Sequence, residues 1–402
     1  MHQLHTPSTS KNGQALKADI VSAGHVHIDR IKVEGPLAHT PLGEIIYKAV
    51  PDSEEDVYPV GAEAYKPQAK RNPQPDDIYV KSTKLQASGD AFGLVLECCP
   101  PQQLQGHNVF GSQDLAGYTS ELFRRQIVRH KLSASEEDLQ AWETGSSVKL
   151  TMIHLVANFA CEPSDKPLIF DAVDRNNSGG KHRESDTWLT LGFTPRRRST
   201  YHTATLYDKY ALLASLWRDA GEQRQYLLHL MNGAIRLEIK IYAQWLRTYG
   251  VLPDGTIVNR LTLAKQDPAA ARAAMSLQYV LNWKYVDLDA LYFELLKSYR
   301  ITNAVQRHLT QDEEQMLSTG ERRAYLLWLQ GFDLTGLYRS RSTVWKYVRA
   351  VRDKTGVDIS SRTRPKAVQA LDLEQLFTPK NILSVPDWLK AAGRYWERDA
   401  LT

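Results

Sequence analysis

The chain has 402 residues, of which 42% are hydrophobic and 24% charged, an ordinary globular composition long enough for two or three domains at roughly 100–200 residues each. No run of about 18 apolar residues occurs, which excludes a helical membrane span. Three cysteines, Cys98, Cys99 and Cys161, without a CxxC spacing, exclude a disulfide framework and a cysteine-built zinc site. The polar N-terminus has no apolar core of an export signal, so a reducing cytoplasm is the expected compartment. The net charge of +4 says little, but its distribution says more. Residues 321–366 carry eleven Lys/Arg against four acids, a local balance of +7, while residues 52–56 hold four acids in five positions. A cationic C-terminal stretch points to a polyanionic partner.

In chain order, residues 1–24 read as a flexible tail rich in Ser, Thr, Lys and Gly. HVHIDRIKVEG, from His25, carries the apolar alternation of a strand. Residues 51–77, with five prolines and many charges, are predicted to be a surface excursion. Strand signals return at IYVKSTKL and GLVLECC, the second stopped by Pro100 and Pro101. Residues 112–143 read as helical, and SVKLTMIHLVANFAC is the most apolar run and is predicted to be a central strand. After a loop at 176–180 come two further strands, TWLTLGF and TATLYDK. A helical stretch to Gly233 follows, and then AIRLEIKIYAQWLRTYG, strand turning to helix. Beyond residue 266 the pattern is helical. The fold class expected is therefore α+β, with an α+β unit over 25–265 and an all-α unit over 266–402.

Three local patterns carry chemistry. The first is a helix (ERRAYLLWLQGFD), a short break and a second helix (STVWKYVRAVRDKTGVDI) with Ser342 or Thr343 at its N-cap. Val344, Tyr347, Val348 and Val351 form its apolar face, and Lys346, Arg349 and Arg352 lie on the other. This is helix-turn-helix logic, with Arg339, Arg341, Lys346 and Arg349 placed to reach phosphates or bases. A solvated face of a helical bundle has the same pattern. The second is Tyr207, Asp208 and Lys209, preceded by Arg196, Arg197 and Arg198. A phenol can attack a phosphodiester and leave a 5′-phosphotyrosine and a free 3′-hydroxyl, a neighbouring lysine can help ionise it, and arginines can clamp the phosphate. The pattern is short, and among 19 tyrosines a strand Tyr is usually packing. The third is His25 and His27, two apart on one strand face, suited to a metal or to phosphate and equally to a surface. His107, His154 and Glu238 are single residues without a fold to join them, and Arg236 and Glu238 share a strand face as a simple ion pair would.

LQGHNVFGSQDLA, at residues 104–116, resembles a signature of the gene II replication proteins of filamentous phages. The resemblance continues in order over about residues 27–390: HIDRIKVEGPL, GLVLECCPPQQ, HTATLYDKYALL with its Tyr-x-Lys, NGAIRLEIKIYAQWLRTYGVL with its Arg-x-Glu, YLLWLQGFDLTGLYRSRSTVWKYVRAV, and the motif Pro386, Asp387, Trp388. It implies an antiparallel-sheet nicking domain of the HUH-endonuclease kind followed by a helix-turn-helix-like domain. It also implies a site-specific endonuclease and strand transferase for rolling-circle replication. Such a protein binds the double-stranded origin and nicks the plus strand, and the 3′-hydroxyl then primes the host polymerase. It later cuts again and recircularises the displaced strand, the phosphotyrosine conserving the bond energy so that no ATP is needed.

Carried over residue by residue, the resemblance makes Tyr207 the nucleophile and Lys209 its helper. Glu238, with His107 and His154, is a candidate holder of Mg²⁺ or Mn²⁺, and Arg236 and Asn108 are candidate DNA contacts. The implied partners are duplex and single-stranded phage or plasmid origin DNA and the host helicase and polymerase, in the host bacterial cytoplasm and without a membrane. The chain departs from the pattern in one strand, where relatives show Arg-apolar-Asp and this sequence reads His154, Leu155, Val156; the acid is missing. The extension before His25 is additional to the pattern. A non-catalytic DNA-binding regulator of phage replication is the competing function, and a structural phage protein a third, in which the basic module and the YDK strand would be idle.

Overall fold

The computed structural model describes residues 24–49, 57–65, 78–176, 181–194, 197–217, 221–299, 301, 309–330, 332, 334–338, 340–355, 357, 359–360 and 372–398. The expected tail lies outside these residues but for its last position, as do most of 51–77, Arg196 and Arg339. The fold is α+β, built on one large antiparallel sheet.

The strands are β1 (His27–His39), β2 (Glu44–Ala49), β3 (Val57–Tyr65), β4 (Tyr79–Leu85), β5 (Ala91–Cys98), β6 (Lys149–Ala160), β7 (Lys181–Ser185), β8 (Trp188–Leu191), β9 (Phe193–Thr194), β10 (Arg197–Arg198), β11 (His202–Tyr207), β12 (Ala234–Tyr242), β13 (Tyr249–Val251), β14 (Ile257–Asn259) and β15 (Met275–Ser276). Ten of them form the main sheet in the order β2-β3-β4-β5-β1-β6-β12-β11-β8-β7. β9 with β10, and β13 with β14 and β15, make two small sheets. β1 and β6 sit at the centre, which is why the most apolar run of the sequence became β6: both its faces are covered. Ile31 and Val33 of β1, Ile153 and Leu155 of β6, Leu237 and Ile239 of β12, and Ala204 and Leu206 of β11 put one face of the sheet into the main core. The helix Leu115–His130 lies against it, as does Trp142, which stacks on Phe123 at 4.3 Å and donates to Pro36 O at 2.8 Å.

Local readings differ from the sequence expectation at several points. The surface excursion contains β3, which pairs with β2 and β4; Pro59 stands at a register shift, where a missing N–H is tolerated. The helical stretch 112–143 is two helices, because Lys131 takes a left-handed conformation and Ser135 then caps Glu136–Thr144. In the stretch after 266, the helix Pro268–Ala273 stops and the chain hydrogen-bonds to the start of β6 (Leu150 N to Gln278 O, 2.6 Å; Val280 N to Val148 O, 3.0 Å) instead of continuing.

The cores draw a different division from 265/266. Leu277 to Tyr299 and Leu373 to Ile382 pack into the main core together with the sheet. A separate core holds Leu309, Leu317, Ala324, Tyr325, Trp328, Leu334, Val344, Val348, Val351, Val357 and Ile359. It joins the helices Thr319–Leu329 and Arg341–Thr355 across the short helix Leu334–Leu337. Capping boxes at Thr310/Glu313 and Ser318/Glu321 start two of its helices, and Lys354 ties the last one to Glu321 at 2.7 Å. The Arg341–Thr355 helix begins ahead of the expected Ser342 or Thr343 cap. No described helix is long and apolar enough to cross a membrane.

Candidate active site

The face of the sheet opposite the main core carries polar residues in its middle strands. Pairing fixes which side chains meet. Tyr207 of β11 lies across from Arg236 of β12, and Asn158, Val156 and His154 of β6 lie across from Arg236, Glu238 and Lys240. Directly opposed residues share a face, so β12 displays Arg236, Glu238 and Lys240 between Tyr207 on one side and His154 and Asn158 on the other.

Val156, where the acid was missing, faces Glu238. A carboxylate arrives from the next strand instead. On β1, His27 pairs with Val156 and Arg30 with His154, and the register shifts between Ile28 and Arg30. Asp29 sits at this bulge, and its carboxylate turns into the site. Such extra residues re-aim a side chain. Asp29, His154 and Glu238 are all buried, and one ligand atom from each lies within 4.8 Å of the others.

The hydrogen bonds are dense. Arg236, with no exposed surface, donates to Asp29 Oδ1 at 2.7 Å and to the Asn108 carbonyl at 2.6 Å. Asn108 Nδ2 donates to the same Asp29 oxygen at 3.0 Å, and Lys209 Nζ donates to Asn108 Oδ1 at 2.8 Å. Glu238 Oε1 takes His154 Nδ1 at 2.8 Å and Lys240 Nζ at 3.4 Å, while its Oε2 accepts from the Tyr207 hydroxyl at 3.3 Å. The Tyr207 ring stacks on Trp188 at 4.6 Å. Nε2 of His154 and Nε2 of His27 are buried without a hydrogen-bond partner.

Burial sets the protonation behaviour. It pushes the Tyr207 phenol well above its usual value, with Arg236 pulling the other way and Glu238 adding to the rise. Burial, then Arg236, brings the Lys209 ammonium down to about 8. For Glu238, burial works upward, but Lys240, His154 and Arg236 together hold the carboxyl well below the ordinary range. Burial, and next Arg236, lowers His27 well below its usual value.

Helix and loop ends deliver the remaining groups. Asp208 caps the helix Lys209–Leu216 by accepting from Tyr210 N and Ala211 N, and takes Lys166 Nζ at 2.8 Å. Residue 209 is thereby held at the helix start beside the end of β11. The Gly-His-Asn loop is pinned from the C-terminal side: His107 Nε2 bonds the Arg394 carbonyl at 2.9 Å, the Tyr395 hydroxyl donates to Gly111 O at 3.0 Å, and Trp396 N donates to Gln105 Oε1 at 2.9 Å.

The structure thus brings together Tyr207, Lys209, Arg236, Glu238, His154 and Asn108 of the expected residues. His107 stands outside the Asp29, His154 and Glu238 group: its Nε2 is used by Arg394, and its Nδ1 faces Gln105 Nε2 and Val109 N. His25 and His27 do not act as a pair. His25 is exposed and bonds Asp289 at 2.9 Å, whereas His27 is buried. Arg197 and Arg198 form β10, outside the main sheet. Arg341, Lys346 and Arg349 are exposed on the helix of the separate core. The residue that the sequence pattern does not single out is Asp29, an acid inside the β1 alternation. Its one signal was its place as the first acid in a strand that otherwise alternates.

A large antiparallel sheet with a buried cluster of acids, bases and a phenol on one face is the setting in which the family assignment falls. The family described as the N-terminal part of the phage gene II replication-associated protein matches residues 62–270, just over half of the chain. The chain belongs to this family of phage replication proteins. No individual curated protein matches it.

Proposed function

We propose that the protein is the initiator endonuclease and strand transferase of rolling-circle replication, acting on the plus strand of a phage or plasmid origin through Tyr207. The observation that carries this reading is the convergence of Tyr207, Lys209, Arg236, Asp29, His154 and Glu238 from separate strands and a helix start into one buried cluster. Buried charge concentrated in this way, with strongly shifted protonation, marks functional sites more often than purely structural ones.

In this reading, Tyr207 Oη attacks the scissile phosphorus, the bond to the 3′ oxygen breaks, and a 5′-phosphotyrosine forms. Glu238 Oε2 accepts the phenol hydrogen bond and orients Oη, and the proton passes to the neutral form of Lys209, which burial makes available near neutrality. Lys209, drawn to about 8 and so able to give up a proton near neutrality, returns one to the leaving 3′ oxygen. Arg236 holds Asp29 and faces the Tyr207 ring, where it offsets charge gathering on the phosphate. The reverse sequence, with the 3′-hydroxyl of the displaced strand as attacker, recircularises that strand.

Asp29, His154 and Glu238 would hold a divalent ion. Two hard carboxylate oxygens and an imidazole nitrogen suit Mg²⁺ or Mn²⁺, and the orphaned Nε2 leaves His154 with a ligand atom to offer. Such an ion would lower the phenol's pKa and neutralise the charge developing on the phosphate. The basic helix Arg341–Thr355 is the proposed origin-binding element, with Arg341, Lys346 and Arg349 exposed on it. Incubation with supercoiled origin DNA and Mg²⁺ tests the reading. Nicked circles and a Tyr207–DNA adduct, both abolished by EDTA, are expected; binding without nicking would instead mark a regulator.

A further inference from the structure

The helix Arg341–Thr355 buries Val344, Val348, Val351 and Thr355 in the separate core, which fixes its outward side. On that side stands Trp345, 60% exposed. Arg341 precedes it by four residues, Arg349 follows by four, and Arg352 completes the stripe three further on. Residues three and four apart are neighbours on a helix surface, so the indole lies along a line of three guanidinium groups, with Lys346 beside it. Asp353, 3.8 Å from Arg352, is the acid on this face among the described residues.

A large aromatic ring exposed among cations is poorly suited to solvent. It also fits a second copy badly, since a two-fold contact would set arginines against arginines. Nor does it fit the interior of an intact duplex, where a groove offers base edges while the ring needs a base face. Base faces are available where strands are unpaired, and sequence-tolerant binding of single strands combines a cationic track with aromatic platforms.

We infer that Trp345, flanked by Arg341, Arg349 and Arg352, is a stacking platform for an unpaired base, so that this helix grips single-stranded DNA beside the nick as well as duplex. The inference rests on the initiator reading for its DNA and adds the strandedness and the residue. The platform supplies affinity through ring overlap, and the arginines supply it through counterion release.

The test measures binding of the full chain to fluorescein-labelled oligothymidine and to a blunt duplex at several salt concentrations. Wild type is compared with Trp345→Ala, Trp345→Phe and Arg349→Ala. For Trp345→Ala, affinity for oligothymidine should fall about 5- to 150-fold with an unchanged salt slope and nearly unchanged duplex binding. Trp345→Phe keeps a ring and should stay within about threefold of wild type. For Arg349→Ala, the slope should flatten by about 0.7 on the single strand. Three results would each overturn the inference: wild-type oligothymidine affinity in Trp345→Ala, equal losses on single strand and duplex, or a change of oligomeric state in place of a binding defect. Nicking of supercoiled origin DNA by the same preparations separates the two readings. Nicking with no Trp345 effect removes only the platform, whereas neither nicking nor DNA binding by wild type removes the initiator.

Discussion

Each residue of the site answers to a different part of the proposed chemistry. Tyr207→Phe keeps the ring stacked on Trp188 and loses only the hydroxyl. Nicking should vanish while origin binding stays within about twofold, as read by gel assays on supercoiled DNA; nicking at the wild-type rate would pass the role to another phenol. Asp29→Asn keeps the shape but removes a charge that Arg236 and Asn108 both use. Activity should drop on the order of 100-fold or more and be partly restored by raised Mn²⁺, as for a weakened ligand. Charge would also govern when a proposed metal ion enters. The two carboxylates Asp29 and Glu238 are already balanced by three cations, Arg236 and Lys240 in direct contact and Lys209 through its charge. A divalent ion added to that balance would be repelled until a phosphate brought negative charge to the site. Mn²⁺ binding followed by electron paramagnetic resonance should therefore tighten when an origin oligonucleotide is present, and by linkage the ion should tighten DNA binding by the same factor. Equal Mn²⁺ affinity with and without DNA would defeat this argument.

At the scale of elements, two devices set the positions of Lys209 and Asn108. The first is the cap of the Lys209–Leu216 helix, where Asp208 serves two backbone donors and the buried ammonium of Lys166. Asp208→Ala forfeits the cap, about 1 kcal/mol, and leaves the Lys166 ammonium with only the Met231 carbonyl and the Tyr210 ring, so a total of about 3 kcal/mol is expected in a urea melt. Lys166→Met, which removes the charge as well as the bond, should cost less than Asp208→Ala. The second is the C-terminal segment that holds the Gly-His-Asn loop through Arg394, Tyr395 and Trp396, the last also stacking on Tyr118 at 4.7 Å. Truncation after Gly393 should speed amide exchange in residues 105–112 while leaving β6 and β12 protected. Unchanged exchange in the loop would mean that its own turn, with Gln105 donating to Phe110 O at 2.7 Å, suffices.

For the whole molecule, buried imidazoles tie stability to pH. Burial lowers His107 to about 4 from an ordinary 6.5, and it also lowers His27 well below that ordinary value. Both are neutral when folded and take up protons only on unfolding. The stability they contribute is full above about 6.5, falls as the pH drops below that value, and for His107 is lost by about pH 4. The share from His107 is about 3 kcal/mol. Urea midpoints should fall steadily from pH 7 to pH 5, and less steeply in His107→Gln; a flat profile would contradict the burial argument.

Much of this protein was legible before its structure. The apolar run at 149–160, rich in β-formers, read as the central strand that it forms. The Tyr-x-Lys, Arg-x-Glu and Gly-His-Asn signatures drew attention to Tyr207, Lys209, Arg236, Glu238 and Asn108, because short motifs survive as text. The split of the expected all-α unit, residues 266–402, between the main core and a separate one was not legible, since helical periodicity marks an apolar face without naming its partner. Asp29 was hidden for the same reason. It is an unremarked acid in an alternating strand, 125 residues from His154 and 209 from Glu238 in the chain. Only the pairing of β1 with β6, and the bulge that turns Asp29 inward, place it with them. Composition and local pattern determined most of the elements, and the family resemblance pointed to most of the side chains of the candidate site. Strand register, set by long-range pairing, decided which of those side chains share one site.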